Sequence, residues 1–188
     1  EYGFIAPRLT AAGHGVLAVD LRAGGDRWEH VNRTIAGIGT ATGYCEAAID
    51  VESAVGYARE RFAGQPLFLL GSSFSAALVL RQAATDSAAI AGVLAFSPAS
   101  GGPMIDCRGE DLSAGIERPV LIVRPDTEMA NPAVREQFDL FRQQGHQVYV
   151  AEGGTHGAST LDPSRAEGDV APTWETVLDF LRRVGPAQ

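Results

Sequence analysis

The sequence lacks long hydrophobic runs and clusters of basic residues. No apolar stretch among its 188 residues approaches the roughly 20 residues that a membrane-spanning helix requires, so we expect no membrane partner. The formal net charge is −8, with 23 acidic residues against 15 basic ones, and this balance argues against a nucleic-acid partner. Net acidity of this size mainly favours solubility and says little about a substrate.

Cysteine is equally scarce, because Cys45 and Cys107 are the only two in the chain. Two thiols this far apart do not form a disulfide framework in a chain of this size, so we expect both to be free. A bridge between them is the alternative. The segment Glu1-Tyr2-Gly3-Phe4 has no initiator methionine, basic segment or apolar signal core. A targeting signal upstream of these residues would not be visible, so the compartment is left open, with the cytoplasm favoured.

Repeats and low-complexity tracts are also missing, so residues 1–188 are expected to form a single domain. What the chain does have is an alternation of short apolar runs and amphipathic stretches. The apolar runs predict buried strands of a parallel sheet, and they are 15–20, 66–70, 91–96, 119–123 and 147–151. Apolar residues at helical spacing predict helices, chiefly over 44–62, 74–85, 134–141 and 174–184.

This alternation predicts an α/β fold with a doubly wound, mostly parallel sheet and helices on both faces. The longest irregular stretches follow strand ends, where ligands bind in such sheets, and they are 22–42, 97–118 and 153–172. Candidates for lining a pocket occur in the first of these stretches, and they are Trp28, His30, Asn32 and Arg33.

A candidate nucleophile follows the second predicted strand. Gly71-Ser72-Ser73-Phe74-Ser75 leads from that strand directly into a helix, which is the context of a nucleophile elbow. The serine of such a turn needs small residues two positions before and after it, and this holds for Ser73 but fails for Ser72. Ser75 replaces the usual glycine, but it is small. The N–H of Phe74 is the expected oxyanion donor, and a helix-capping turn without chemistry is the alternative.

Four histidines are available as the base that a serine hydroxyl requires. His156 lies in a Gly-rich segment after the last predicted strand, which allows its ring to swing over the strand end. We therefore assign His156 as the candidate base, with an ordinary loop histidine as the alternative. His14 and His146 occupy Gly-containing turns before strands and are expected to be exposed. His30 is a weak candidate for a substrate site.

The carboxylate that orients such a base lies between the serine and the histidine in the chain, just after a strand. Arg124, Asp126 and Glu128 follow the fourth predicted strand. We prefer Glu128, because the later position leaves the loop room to turn back toward His156, and Asp126 is the alternative acid. Arg124 is expected to bind a substrate carboxylate or to pair with Asp126. Glu152 is expected to point to solvent.

The order of elbow, acid and His-Gly resembles the α/β-hydrolase superfamily over nearly the whole chain. Residues 19–25 (VDLRAGG) and 72–78 (SSFSAAL) resemble segments of serine esterases and dienelactone-hydrolase-like members, although dienelactone hydrolases use a cysteine where this chain has Ser73. The resemblance implies an α/β-hydrolase fold without a cap domain, since 97–118 is too short to form one. It also implies that the family's first strands, and a loop that supplies a second oxyanion N–H, are missing from these residues.

These patterns together predict a serine hydrolase that cleaves small carboxylic esters through an acyl-enzyme intermediate. The mechanism needs no metal or organic cofactor, and no cluster of ligating residues suggests one. A thioesterase or peptidase would use the same three residues. A non-catalytic binding protein of the same fold is the alternative from another class. The sequence leaves the oligomeric state open.

Overall fold

The computed structural model describes residues 1–26, 30–88 and 90–185. Its centre is a four-stranded parallel sheet in which each strand pairs with the next in the chain, and the strands are β1 (Leu67–Ser72), β2 (Ile90–Phe96), β3 (Val120–Pro125) and β4 (Gln147–Ala151). Its helices are α1 (Tyr2–Ala11), α2 (Arg33–Ile38), α3 (Ala48–Arg61), α4 (Phe74–Thr85), α5 (Glu110–Ser113), α6 (Pro132–Gln143) and α7 (Ala171–Val184). None of these described helices combines the length and the apolarity that crossing a bilayer requires.

Alternate residues of the sheet face two separate apolar layers. In β2, Val93 and Ala95 pack in the layer beneath α3, α4 and α6, whereas Leu94 and Phe96 pack in the layer beneath α1 and α7. Successive side chains of a strand point to opposite faces, so a strand covered on both faces is apolar throughout. The predicted parallel sheet with helices on both faces is therefore confirmed.

Four of the five predicted strands are confirmed, with bounds shifted by at most two residues. The fifth prediction, over 15–20, is wrong, because these residues pair with no described strand. Apolar residues alone do not make a strand, which also needs a neighbour for its N–H and C=O groups. Val16, Leu17 and Val19 are accordingly 42%, 44% and 41% exposed. This segment and β1 line the same cleft.

The two cysteines are joined in a disulfide, so the expectation of two free thiols is wrong. Cys45 lies in the turn before α3, which begins later than the predicted start at residue 44, and Cys107 lies in the segment before α5. Their Cα atoms are 5.5 Å apart, within the range that a disulfide bridges. The sequence separation of 62 residues concealed this proximity, which only the packing of the two loops creates.

Removing this disulfide is expected to lower the free energy of unfolding by about 4 kcal/mol, because the unfolded chain regains the entropy of a long open loop. Equilibrium unfolding in urea of the wild type and of the double variant Cys45→Ala/Cys107→Ala measures the loss. Adding a reductant should destabilise the wild type and leave the double variant unchanged. Equal stability of all these forms would contradict the prediction.

Candidate active site

The turn between β1 and α4 holds Ser73 in a backbone conformation that L-residues rarely adopt, with φ of 56° and ψ of −119°. Such strain persists where the surroundings enforce it, and it occurs preferentially at functional sites. A Cβ at Gly71 would come within 2.5 Å of the Ser75 carbonyl oxygen, so this position needs glycine. The Ser75 hydroxyl accepts from Ser72 N and donates to Ser72 O, at 2.9 and 2.8 Å. Ser75 thus braces the turn in place of the usual glycine.

The two adjacent serines have different surroundings. Ser72 is 6% exposed, and its hydroxyl donates to Glu1 Oε1 and accepts from Ala158 N, both over 2.9 Å. Ser73 lines the cleft, and within the described part of the chain its hydroxyl makes no hydrogen bond. Of these two serines, it is therefore Ser73 that presents a free hydroxyl to the cleft.

Phe74 is the first residue of α4, where the backbone N–H groups have no acceptor inside the helix. Its ring stacks on Tyr44 with 4.6 Å between the ring centroids. A Cβ at Gly24 would lie 3.0 Å from the same ring, so this glycine allows the loop after residue 20 to pass close to it. The Phe74 side chain is thus fixed between two loops while its N–H stays beside Ser73.

His156 and Glu128 are in direct contact, although 28 residues separate them in the chain. Nδ1 of His156 lies 2.5 Å from Oε1 of Glu128, at the carboxyl ends of β4 and β3. A carboxylate only accepts, so the ring donates its Nδ1 proton and the lone pair of its Nε2 remains available as a base. The His156 side chain is 60% exposed and lines the same cleft as Ser73.

Glu128 is poised to remain ionised. Burial acts to raise the pKa of Glu128, but hydrogen bonds from His156 and Arg124, together with the Arg124 charge, outweigh it and hold this pKa below its ordinary value. Asp126 lies away from His156, since it is exposed and its Oδ1 accepts from Thr127 N of its own turn. The structure thus brings Glu128, and not Asp126, to the histidine.

Arg124 has neither of the two partners that the sequence predicted. Its side chain is buried and pairs with Glu128 over 2.6 Å instead of with Asp126. At 4% exposure it is also inaccessible to a substrate carboxylate. The register of β3 decides this outcome, because it points the Arg124 side chain into the protein beside α6.

Three residues to which the sequence assigned no site role hold the histidine loop in place. The consecutive N–H groups of residues 157–159 donate to Ser97 Oγ, Ser72 Oγ and Glu1 Oε1, over 3.1, 2.9 and 2.8 Å. Ser97 directly follows β2, and Ser73 and Ser97 are the two described non-glycine residues with positive φ. The only sequence signal for this role is the position of Ser72 and Ser97 at strand ends.

The other three histidines differ from His156 in their burial and contacts. His14 and His146 are partly buried, which corrects the expectation that they are exposed. The His14 ring meets the edge of Phe68, and the His146 ring bonds Ser113 O over 3.0 Å. Burial lowers the pKa of His146. His30 is exposed and lies outside the cleft.

The remaining described site candidates from the loop after residue 20 make structural contacts near that loop. Asn32 lines the cleft but caps α2 and donates to Leu21 O. Arg33 donates its backbone N–H to Asp20. Glu152 is exposed, as predicted, and Trp28 lies outside the described residues.

The cleft that joins Ser73 and His156 has a volume of about 1750 Å³. This exceeds the usual volume of a small-molecule pocket, about 300 to 1,000 Å³, because the cleft continues along β1 beside residues 15–20. Among the described residues, no group of three or more His, Cys, Asp or Glu side chains is arranged to hold a metal ion.

Comparisons with known proteins support the fold. No protein-family model and no curated protein sequence matches the chain. Among solved structures, Est1E from Butyrivibrio proteoclasticus matches 81% of this chain and 78% of its own, with a TM-score of 0.59 and 17% identity. Pyrococcus horikoshii acylaminoacyl peptidase matches 85% of this chain but 31% of its own length, with a TM-score of 0.52 and 6% identity. This chain therefore has the predicted α/β-hydrolase fold.

Proposed function

We propose that this protein is a serine hydrolase that cleaves small carboxylic esters through an acyl-enzyme intermediate. The observation that carries the proposal is the contact between His156 and Glu128, beside a cleft in which Ser73 occupies a strained turn. A base oriented by a carboxylate and a free serine hydroxyl are the two components that nucleophilic acyl transfer requires.

In this mechanism, Ser73 Oγ attacks the acyl carbon while His156 Nε2 takes its proton. The N–H of Phe74 donates to the developing oxyanion, and Glu128 stabilises the protonated ring. The bond from the acyl carbon to the alcohol oxygen then breaks, and His156 returns the proton to the leaving alcohol. Water attacks the acyl-enzyme with His156 again as base, which releases the carboxylic acid and restores Ser73.

The preference for small esters is supported by the loop over 97–118. Met104, Cys107 and Ile116 are buried in the core, so this loop packs against the domain and does not form a cap. The cleft near the elbow remains open and is lined by Tyr44 and Phe74. An open, partly apolar site suits a short acyl group better than a long chain, which needs a closed channel to leave water.

Two alternatives keep specific support. A peptidase or thioesterase would use the same residues, and one of the similar structures is an acylaminoacyl peptidase. A non-catalytic binding protein is favoured by the absence of a hydrogen bond between Ser73 and His156 in the described structure. Catalytic hydrogen bonds are often open before a substrate binds, so this observation weighs less than the His156 contact.

The disulfide between Cys45 and Cys107 supports an oxidising compartment as the place of action. Such bonds are rare in the cytoplasm, where glutathione and thioredoxin keep thiols reduced. The proposal therefore replaces the cytoplasm, which the sequence favoured, with an oxidising environment.

Labelling by a fluorophosphonate probe tests the proposed function, because the probe reacts only with an activated serine. We expect wild-type protein to be labelled, Ser73→Ala to be unlabelled and Ser53→Ala to label like the wild type. Ser53 is the matched control, since it is exposed on α3 and bonds only its own helix. Absence of label on folded wild-type protein would refute the hydrolase. Relative rates on p-nitrophenyl acetate, a thioester and an acylaminoacyl anilide then separate the substrate classes.

A further inference from the structure

A buried guanidinium donates to the second carboxylate oxygen of Glu128, the candidate acid. Arg124, near the end of β3, has a side chain 5% exposed and donates from Nη1 to Glu128 Oε2 over 2.6 Å. Glu128 Oε1 contacts His156 Nδ1, so the carboxylate is held at both oxygens. Removing a guanidinium from water is costly unless acceptors surround it, and both Nη atoms of Arg124 have acceptors, while its Nε has none among the described residues.

Arg124 is itself fixed from two further directions. Its Nη2 donates to the Pro98 carbonyl oxygen over 2.5 Å and to the side-chain oxygen of Gln137. Gln137 in turn donates to Glu110 over 3.0 Å. The guanidinium is therefore hydrogen-bonded to the loop after β2 and to α6. Its planar set of donors can serve several acceptors at once, whereas the ammonium group of a lysine cannot.

We propose that Arg124 is a positioning residue that offsets the charge of Glu128, so that His156 remains an unprotonated base at lower pH than beside a lone carboxylate. With Arg124 present, the summed charge of Arg124, Glu128 and His156 is zero before His156 takes a proton and positive afterwards. Without Arg124, the summed charge of Glu128 and His156 is negative before protonation and zero afterwards. Protonation of the His156 ring is electrostatically easier when Arg124 is absent. The inference rests on the proposed function in giving His156 the role of base.

Other charged groups lie near this cluster and are the same with or without Arg124. They are Glu110 beyond Gln137, Asp126 on the acid loop, Glu1 beneath the histidine loop, and Arg165, which contacts Ser159. Because they contribute equally to both cases, the comparison isolates the charge of Arg124.

The test follows the His156 ring signal by NMR against pH, together with the rate at which a fluorophosphonate labels Ser73. In Arg124→Gln, we expect the ring to titrate about one pH unit higher than in the wild type, and the acid limb of labelling to move with it. Arg142→Gln is the matched control, since Arg142 pairs with Asp139 at the surface and should leave both curves unchanged. An unshifted ring titration in folded Arg124→Gln overturns the proposal.

If Arg124→Gln does not fold, the variant Arg124→Lys tests the proposal instead, because it keeps a cation at the buried position. We expect its ring titration to match the wild type, while labelling slows by about tenfold or more because an ammonium cannot hold Glu128, Pro98 and Gln137 together. A titration shifted upward, or labelling at the wild-type rate, overturns the proposal. If the wild type takes no label, the hydrolase proposal fails, whereas the NMR titration still decides the role of Arg124.

Discussion

Glu128→Gln is expected to slow ester hydrolysis about 10⁴-fold at neutral pH, because an amide neither stabilises a protonated imidazole nor fixes the required tautomer. In the native protein Glu128 Oε1 lies 2.5 Å from His156 Nδ1 and carries the charge that this contact needs. The measurement is kcat on p-nitrophenyl acetate, with the labelling rate as a second readout. We expect KM to change little, since the carboxylate acts through the histidine.

Asp126→Asn is the matched control for this prediction. Asp126 is two residues away on the same loop, but it is exposed and bonds only its own turn. Its variant should keep kcat within about twofold of the wild type, as is usual for surface substitutions away from a site. Loss of activity in Asp126→Asn, with Glu128→Gln active, would transfer the role of acid to Asp126.

Gly71→Ala is expected to lower the free energy of unfolding by about 3 kcal/mol, because overpacking at a backbone contact forces the chain to move. The added Cβ would lie 2.5 Å from the Ser75 carbonyl oxygen and 2.7 Å from the Ala76 Cα, and neither is a flexible side-chain end. The shift would also displace Ser73, so labelling should fall sharply in the fraction that remains folded. Urea unfolding and labelling of the same preparation measure both effects.

Gly56→Ala is the control, since Gly56 lies inside α3 and a Cβ there meets nothing within 4 Å. Alanine has the higher helix propensity, so this variant should gain about 0.5 to 1 kcal/mol. If Gly71→Ala proves as stable as the wild type and labels normally, the elbow is less constrained than its geometry indicates.

Several features of the fold could be predicted from the sequence because they depend on neighbouring residues. The spacing of apolar residues in β2 and α7 reflects which side of the element each residue faces, and this spacing can be recognised within a few residues. The elbow at Ser73 is equally local, since the strand, the small residues and the helix around it are consecutive.

The contacts of the candidate site could be predicted only in part. The order of residues along the chain suggested an acid just after the strand that precedes the histidine's strand, and the structure brings Glu128 to His156. Arg124 was assigned the wrong partner, because the direction of its side chain depends on strand register and on Gln137 from α6. The hydrogen bond from Ala158 N to Ser72 Oγ spans 86 positions and leaves no pattern in the sequence.

By itself, the sequence determined the alternation of strands and helices, the strained turn at Ser73 and the two candidate partners of that serine. Only the tertiary structure decided that Cys45 meets Cys107, that residues 15–20 pair with no strand in the described part of the chain, and that Arg124 pairs with Glu128. The physical reason is the range of the interactions. Propensity and periodicity act within one element, whereas disulfides, buried ion pairs and strand pairing form between elements that folding brings together.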